Sequence, residues 1–314
     1  MTTTVLVPDE YGVARLAKLD GVRALHYDGA DRDDSDGGGG GEIRQVEKDL
    51  RSAEVLVAPI LGQARPELFA KLPRLRLVQL LTAGYEGWEA ALPEGVALAT
   101  GRSAHGGSTA EWVLATLLAL QRDLPHFVRA ADRGEWDYHH TGTLLGARVL
   151  VVGAGDVGQQ IMRRLEPFDV TATMVGRSAR AGVRGMDELP GLLGEHDAVV
   201  LAVPLTEQTH RLADAAFLAR MPDNAVLVNA ARGPVVDTEA LLAELRTGRL
   251  RAALDVTDPE PLPPDHPLWH APGVLITPHV GGSVTGAVER AYEVAAVQIA
   301  EFLAGGEPEN LVRR

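Results

Sequence analysis

Three polar side chains in the second half of the chain have the right chemistry to act together. Arg232 sits in Val228-Asn-Ala-Ala-Arg232-Gly-Pro, Glu260 in Asp255-Val-Thr-Asp-Pro-Glu260-Pro, and His279 in Ile276-Thr-Pro-His279-Val-Gly-Gly282. Each follows a short apolar run of strand type. A guanidinium fork holds a small carboxylate through paired, charge-assisted hydrogen bonds. Imidazole titrates near neutral pH and so can give or take a proton. Taken singly, each residue is as readily a surface arginine, a loop carboxylate or a satisfied loop histidine. Their joint placement at strand ends points to a site, because ligands of open α/β sheets bind outside the carboxyl ends of the strands.

A second constellation precedes them. Arg148-Val-Leu-Val-Val152 runs into Gly153-Ala-Gly155-Asp156-Val157-Gly158, and the helical stretch Gln159–Leu165 follows. The spacing is GxGxxG between a buried strand and a helix start, the setting in which it carries weight. The first glycine permits the turn, the second lets a pyrophosphate approach the backbone, and the third lets the helix pack closely on the strand. The helix start supplies N–H donors and positive potential for phosphate. The next strand, Thr171–Val175, should end in an acid if the bound ribose carries a free 2′-hydroxyl. It ends instead in Gly176-Arg177-Ser178, with Arg180 and Arg184 nearby. That tip favours NADP(H), with NAD(H) left open.

The elements that must position these groups are legible as two βα series. In the first hundred residues Val5–Val7, Ala24–His26, Val55–Val57, Leu75–Gln79 and Val96–Ala99 read as strands, with helix-compatible stretches such as Tyr11–Leu19 and Ile43–Arg51 between them. The second series begins at Ala147. Its strands are Val149–Val152, Thr171–Val175, Ala198–Val203, Ala225–Val228, Ala252–Asp255 and Val274–Thr277, with a helix over Thr238–Thr247 and a closing amphipathic helix near Gly286–Leu303. This alternation predicts an α/β protein with parallel sheets. Thr109–Leu124 reads as a long helix capped by Thr109. Its middle is apolar on nearly every face, so burial all round is expected, within the fold or against a second subunit. Asp31–Gly41 is acidic and then pure glycine, and reads as a surface loop.

Bulk composition excludes whole classes of function. The 314 residues suggest two domains of ordinary size. With 43 acidic against 30 basic residues the formal charge is -13, which disfavours nucleic-acid and membrane-surface partners. No cysteine is present, so disulfides, thiolate catalysis and thiolate metal sites are ruled out. The N-terminus lacks signal-peptide character, and the longest apolar window falls far short of a membrane span. A soluble cytoplasmic protein is expected. No metal site is expected either: there is no HExxH, and Pro267 separates His266 from His270. His139 and His140 should point apart in an extended segment, and His105 is not assigned a role.

On these residues the sequence resembles the D-isomer-specific 2-hydroxyacid dehydrogenase family, a group that includes phosphoglycerate, glyoxylate/hydroxypyruvate and D-lactate dehydrogenases. The likeness covers nearly the whole chain. It implies two doubly wound domains with a cleft between them, closing over the cofactor. A flavodoxin-like substrate domain would comprise residues 1–100 and 284–314, and a Rossmann dinucleotide domain residues 101–283. It implies that Arg232 holds the carboxylate and keto oxygen, that His279 donates the proton, and that Glu260 pairs with His279 and favours its protonated form. Asp255 would face the nicotinamide amide. Thr82-Ala83-Gly84 matches the segment whose backbone grips the carboxylate, with Ala83 and Gly84 as the contacts. Gly153, Gly155, Asp156, Val157, Gly158, Arg177, Ser178, Pro204, Ala230 and Gly281 would line the cofactor.

The same resemblance implies a homodimer joined through the dinucleotide domains, and it allows Trp136 to reach a neighbouring subunit, although core packing is the simpler expectation. The implied reaction is reduction of a glyoxylate- or hydroxypyruvate-like 2-oxo acid to the D-2-hydroxy acid. Formate-oxidising relatives carry glutamine at the position of Glu260, which argues against that task; phosphite oxidation is less firmly excluded. A dinucleotide-sensing regulator or corepressor is the non-enzyme alternative.

Overall fold

The computed structural model describes residues 2–27, 48–60 and 62–313. The Asp31–Gly41 segment lies outside the described residues. Of the helix expected over Ile43–Arg51, residues 48–51 are described and are helical. The chain forms two compact units, residues 1–105 with 285–314, and residues 106–284.

The first unit is built on five parallel strands: β1 (Thr3–Val7), β2 (Val22–His26), β3 (Ala53–Val57), β4 (Leu77–Gln79) and β5 (Ala97–Ala99). Their order, β2-β1-β3-β4-β5, is the flavodoxin-like doubly wound order. Side chains of a strand alternate between faces. Val5, Val7, Val55, Val57 and Leu77 therefore pack with Tyr292, Ala295 and Ile299 of the helix Ala287–Leu303. Leu6, Leu56, Val78 and Leu98 pack on the other face with Phe69, Leu72 and Trp88. Tyr292 is fully buried, and its hydroxyl donates to Asp9 Oδ2 at 2.6 Å. The other oxygen of Asp9 caps the helix Glu10–Leu16 by accepting from Gly12 N–H. The strands β1 and β2 begin two residues earlier than the apolar runs suggest. Thr3, Thr4, Val22 and Arg23 are held by backbone pairing, which does not depend on side-chain polarity.

The second unit holds seven parallel strands: β6 (Arg148–Val152), β7 (Thr171–Gly176), β8 (Arg184–Gly185), β9 (Ala198–Leu201), β10 (Val226–Asn229), β11 (Arg251–Leu254) and β12 (Val274–Ile276). Their order is β12-β11-β10-β9-β6-β7-β8. The chain enters at β6, winds to β7 and β8, then crosses to β9 and continues the other way. The reversal beside β6 is the topological switch point of a Rossmann sheet. Leu150, Val152, Val199, Leu201 and Leu227 pack on one face. Val149, Val151, Val200, Val226 and Val228 pack on the other, against Ile161 and Leu165 of the helix Asp156–Leu165 and Val113 and Leu117 of the helix Gly106–Gln121.

That last helix differs from the sequence expectation. It starts at Gly106 rather than after Thr109, so Thr109 lies within it and is not its cap. Within the single chain it is not buried all round: Glu111 and Ala115 are exposed, beside the half-buried Leu118. Glu111 uses that exposure to pair with Arg164 at 3.3 Å. Trp136 also departs from expectation. It is 96% exposed and contributes to no core. Among the described residues no helix is long and apolar enough to cross a membrane.

Candidate active site

Because every strand of the second unit is parallel, the residues that follow each strand emerge along one edge of the sheet. The glycine loop follows β6, Arg177 and Ser178 follow β7, Pro204 follows β9, Ala230 and Arg232 follow β10, Asp255 and Glu260 follow β11, and His279 and Gly281 follow β12. Chain segments up to 126 residues apart, from Gly153 to His279, reach this edge only through the sheet order.

The glycines of the loop differ in what surrounds them. Gly153 has φ +125°, and a side-chain carbon there would collide with the carbonyl of Ala202. At Gly158 a side-chain carbon would collide with the Gly153 carbonyl, so the helix can pack this closely only without one. At Gly155 nothing lies within 4 Å of such a carbon, and the residue is exposed. Its backbone is therefore open to an approaching ligand, and it forms the N-cap of the helix Asp156–Leu165 without a capping side chain. The first-turn N–H groups at Asp156, Val157 and Gly158 face outward for an anion, as helix starts do. Asp156 is not the cap. Its carboxylate lies against Gly106, at the start of the helix Gly106–Gln121, where a side-chain carbon would strike it.

At the tip of β7, Arg177 and Ser178 are exposed. Arg180 donates to the Ala154 carbonyl at 3.3 Å and so lies across Gly176 toward the glycine loop. Arg184 is ion-paired with Glu188 at 3.0 Å. Pro204 is exposed, and its carbonyl accepts from Thr209 Oγ1 at 2.6 Å.

After β10 the turn carrying Arg232 is braced by Asn229, which is 1% exposed. Its Oδ1 accepts from Ala231 N–H at 3.1 Å and its Nδ2 donates to the Arg232 carbonyl at 2.9 Å. Arg232 itself is half-buried and donates from Nη1 to the Ala231 carbonyl at 2.7 Å. Gly233 passes so close to the Thr257 carbonyl that no side chain fits between them. That contact ties the Arg232 turn to the loop bearing Glu260.

His279 Nδ1 meets Glu260 Oε1 at 2.7 Å, with both side chains part-exposed. The imidazole nitrogen away from Glu260, Nε2, is left for another partner. His279 has φ +54°, in the left-handed region that a non-glycine residue adopts at a cost. The force holding it there comes from Asp255. This carboxylate is 5% exposed and accepts three hydrogen bonds, from Thr277 Oγ1 at 2.6 Å, Val280 N–H at 2.9 Å and Gly281 N–H at 2.8 Å. The His279 N–H also donates to the Asp255 carbonyl at 2.8 Å. Asp255 is thus an anchor of the His279 loop, a duty the spacing of the sequence does not reveal. Asn229 and Thr277 were equally unmarked; the one hint is a polar residue ending an otherwise apolar strand, Val226-Leu-Val-Asn229.

Ala83 and Gly84 belong to the first unit, in the loop after β4. Thr82 Oγ1 donates to the Gly84 carbonyl at 3.1 Å, and the Thr82 carbonyl accepts from Gly101 N–H at 2.7 Å.

Comparison with known proteins bears directly on this arrangement. The model of the D-isomer-specific 2-hydroxyacid dehydrogenase NAD-binding domain matches residues 114–281, over half of the chain. The chain belongs to this family. A glyoxylate reductase of Thermofilum pendens is 31% identical, over 85% of this chain and 83% of that protein. A D-3-phosphoglycerate dehydrogenase of Methanocaldococcus jannaschii is 32% identical, over 84% of this chain and 52% of its own length. Among solved structures, a D-isomer-specific 2-hydroxyacid dehydrogenase of Xanthobacter autotrophicus Py2, in complex with NADPH and MES, aligns with a TM-score of 0.82 at 31% identity, covering 99% of this chain and 98% of that one. The protein is accordingly a nicotinamide-dependent 2-hydroxyacid dehydrogenase, which passes hydride between the dinucleotide and a 2-oxo or 2-hydroxy acid. The alternative of a dinucleotide-sensing regulator is not favoured by these relatives.

Proposed function

We propose that this dehydrogenase reduces a glyoxylate- or hydroxypyruvate-like 2-oxo acid to the D-2-hydroxy acid, using NADP(H) in preference to NAD(H). The observation that carries the reading is the 2.7 Å pairing of His279 with Glu260, on the same sheet edge as Arg232 and the glycine loop.

The glycine loop fits a dinucleotide: it is open at Gly155 and closed where the fold needs contact, at Gly153 and Gly158. Gly153, Gly155, Asp156, Val157 and Gly158 would hold the pyrophosphate; Arg177 and Ser178 the ribose end; Pro204, Ala230 and Gly281 the remaining length. The bound nicotinamide supplies the hydride. Arg232 holds the substrate carboxylate and polarises the keto oxygen. His279 gives the proton from Nε2 to that oxygen as the carbonyl carbon is reduced, and is left neutral with Nδ1–H still directed at Glu260. Glu260, 2.7 Å from Nδ1, orients the ring so that Nε2 faces the substrate oxygen. Asp255 has about four acceptor positions, of which three serve the His279 loop, so one remains for the nicotinamide amide.

Arg177 and Ser178, with no carboxylate beside them in the strand tip, suit a 2′-phosphate. A relative solved in complex with NADPH supports NADP(H) as a cofactor this fold can take. We also propose a cytoplasmic homodimer joined through the dinucleotide-binding unit. Leu124, Val128, Trp136, Tyr138 and Leu145 are all exposed within residues 124–145 and would be covered in it.

The test is turnover of a panel of 2-oxo acids with NADPH or NADH, followed by loss of reduced-nicotinamide absorbance. Glyoxylate or hydroxypyruvate should be reduced faster with NADPH. Arg177→Ala should raise KM for NADPH at least tenfold and leave that for NADH nearly unchanged. Equal losses for the two cofactors would refute the 2′-phosphate reading, and no turnover of any 2-oxo acid would refute the substrate class.

A further inference from the structure

We infer that His126, Asp137 and His139 form a binding site for a divalent transition-metal ion of the zinc class, with Asp123 as an outer carboxylate. The site uses none of the residues assigned to catalysis or cofactor binding. His126 stands on the helix Leu124–Asp132. The chain then turns at Gly134, where φ is +69°, and runs back without regular structure, which brings Asp137 and His139 beside His126.

The donor set is pre-assembled. One ligand atom from each residue can be chosen so that all lie within 4.8 Å of one another. Asp137 spans the two rings: Oδ2 is 2.6 Å from His126 Nε2 and Oδ1 is 3.5 Å from His139 Nδ1. Neighbouring ligands of a tetrahedral zinc ion, with bonds of about 2.0–2.2 Å, stand roughly 3.4 Å apart. An ion therefore fits with a small separation of His126 from Asp137, replacing the proton that now bridges them.

The orientation of His139 is a second, independent observation. Its Nε2 lies 3.1 Å from Asp123 Oδ2, and its ring stacks on Phe127 with centroids 4.7 Å apart and planes 20° apart. Its two nitrogens thus face two carboxylates, Nε2 toward Asp123 and Nδ1 toward Asp137, so an ion bound at Nδ1 would leave Nε2–H to donate to Asp123. A carboxylate behind an imidazole, fixing its tautomer and raising its basicity, is the usual outer support of a metal-bound histidine.

Two imidazoles and a carboxylate, in a chain without thiols, select zinc, cobalt, nickel or copper over calcium or magnesium. Three protein ligands leave the fourth position to water. Bound there, the ion staples residues 133–139 to the helix and sets how the exposed Trp136 and Tyr138 of that segment are displayed. On this point the proposal departs from the sequence expectation of no metal site. The 126/137/139 spacing matches no motif, and only the reversal at Gly134 brings the residues together.

The experiment uses the full-length protein, stripped with a chelator and titrated with Co2+ by visible absorption, then with Zn2+ in competition. One equivalent of Co2+ with an intense d–d band, displaced by Zn2+, is expected. His126→Ala and His139→Ala should each weaken binding at least a hundredfold, Asp123→Asn about 10–100-fold, and His270→Ala not at all. Circular dichroism and the variants His126→Gln and His139→Gln separate loss of ligands from loss of fold. In the unaltered protein, Zn2+ should shift the ring NMR signals of His126 and His139 ahead of other histidines. Absence of a one-equivalent site, binding that survives both alanine variants, or signals moving first at other histidines would each overturn the proposal.

Discussion

Replacing Asp255 by asparagine tests how the proton donor is held. The carboxylate receives a hydroxyl and two backbone N–H groups and is 5% exposed. An asparagine of the same shape presents one oxygen and one NH2. With its oxygen in the place of Oδ1, the NH2 faces Gly281 N–H; flipped, it faces Val280 N–H. Either way one backbone donor is orphaned, at about 1–3 kcal/mol. The bonds that survive lose their charge assistance, which costs about 1 kcal/mol more. His279 at φ +54° carries about 1 kcal/mol of strain that favours release once the anchor weakens. The loop thus loses roughly 2–4 kcal/mol of anchoring, and the ratio of its poised conformer to released conformers falls about 30- to 1000-fold. Asp255→Asn should therefore lower kcat by up to about 30- to 1000-fold while substrate KM changes little. Amide hydrogen exchange should rise at Val280 and Gly281. If kcat falls while exchange at these amides is unchanged, the anchoring argument is wrong and Asp255 acts on the nicotinamide alone.

His279→Ala should reduce turnover about a hundredfold or more, with dinucleotide affinity kept in a fluorescence titration; unchanged turnover would remove His279 from its role. Gly158→Ala pushes a methyl into the Gly153 carbonyl. Overpacking of about 1–3 kcal/mol should lower Tm by several degrees in calorimetry and weaken dinucleotide binding with it. Burial raises the Tyr27 hydroxyl from 10.0 to about 12. The folded value lies above the unfolded one, so this contribution is complete below pH 10 and is lost as pH rises through about 12. The loss amounts to about 2–3 kcal/mol in urea titrations, and Tyr27→Phe should remove it.

Much of the candidate site was legible because it rests on local rules. A GxGxxG between strand and helix has one backbone solution, and the collisions at Gly153 and Gly158 are its physical content. Apolar runs alternating with polar, helix-compatible stretches can bury themselves only as layered α/β units, so two parallel sheets followed from the order of elements. Arg232, Glu260 and His279 were singled out because each type suits the chemistry and each closes a strand.

Tertiary structure alone decided the rest. Asp255 is an anchor because Thr277, Val280 and Gly281, 22 to 26 residues away, fold back onto it. The helix Gly106–Gln121 starts three residues before Thr109, with Gly106 packed closely on Asp156, and not where the capping preference of Thr109 points. Trp136 is exposed although its hydrophobicity argues for a core, and it stands on a segment without regular structure. The His126–Asp137–His139 cluster exists only because the chain reverses at Gly134. Periodicity and propensity act over a few residues and are written along the chain. Hydrogen bonds between segments depend on distances in space, and those are determined only once the sheet order and the turns are formed.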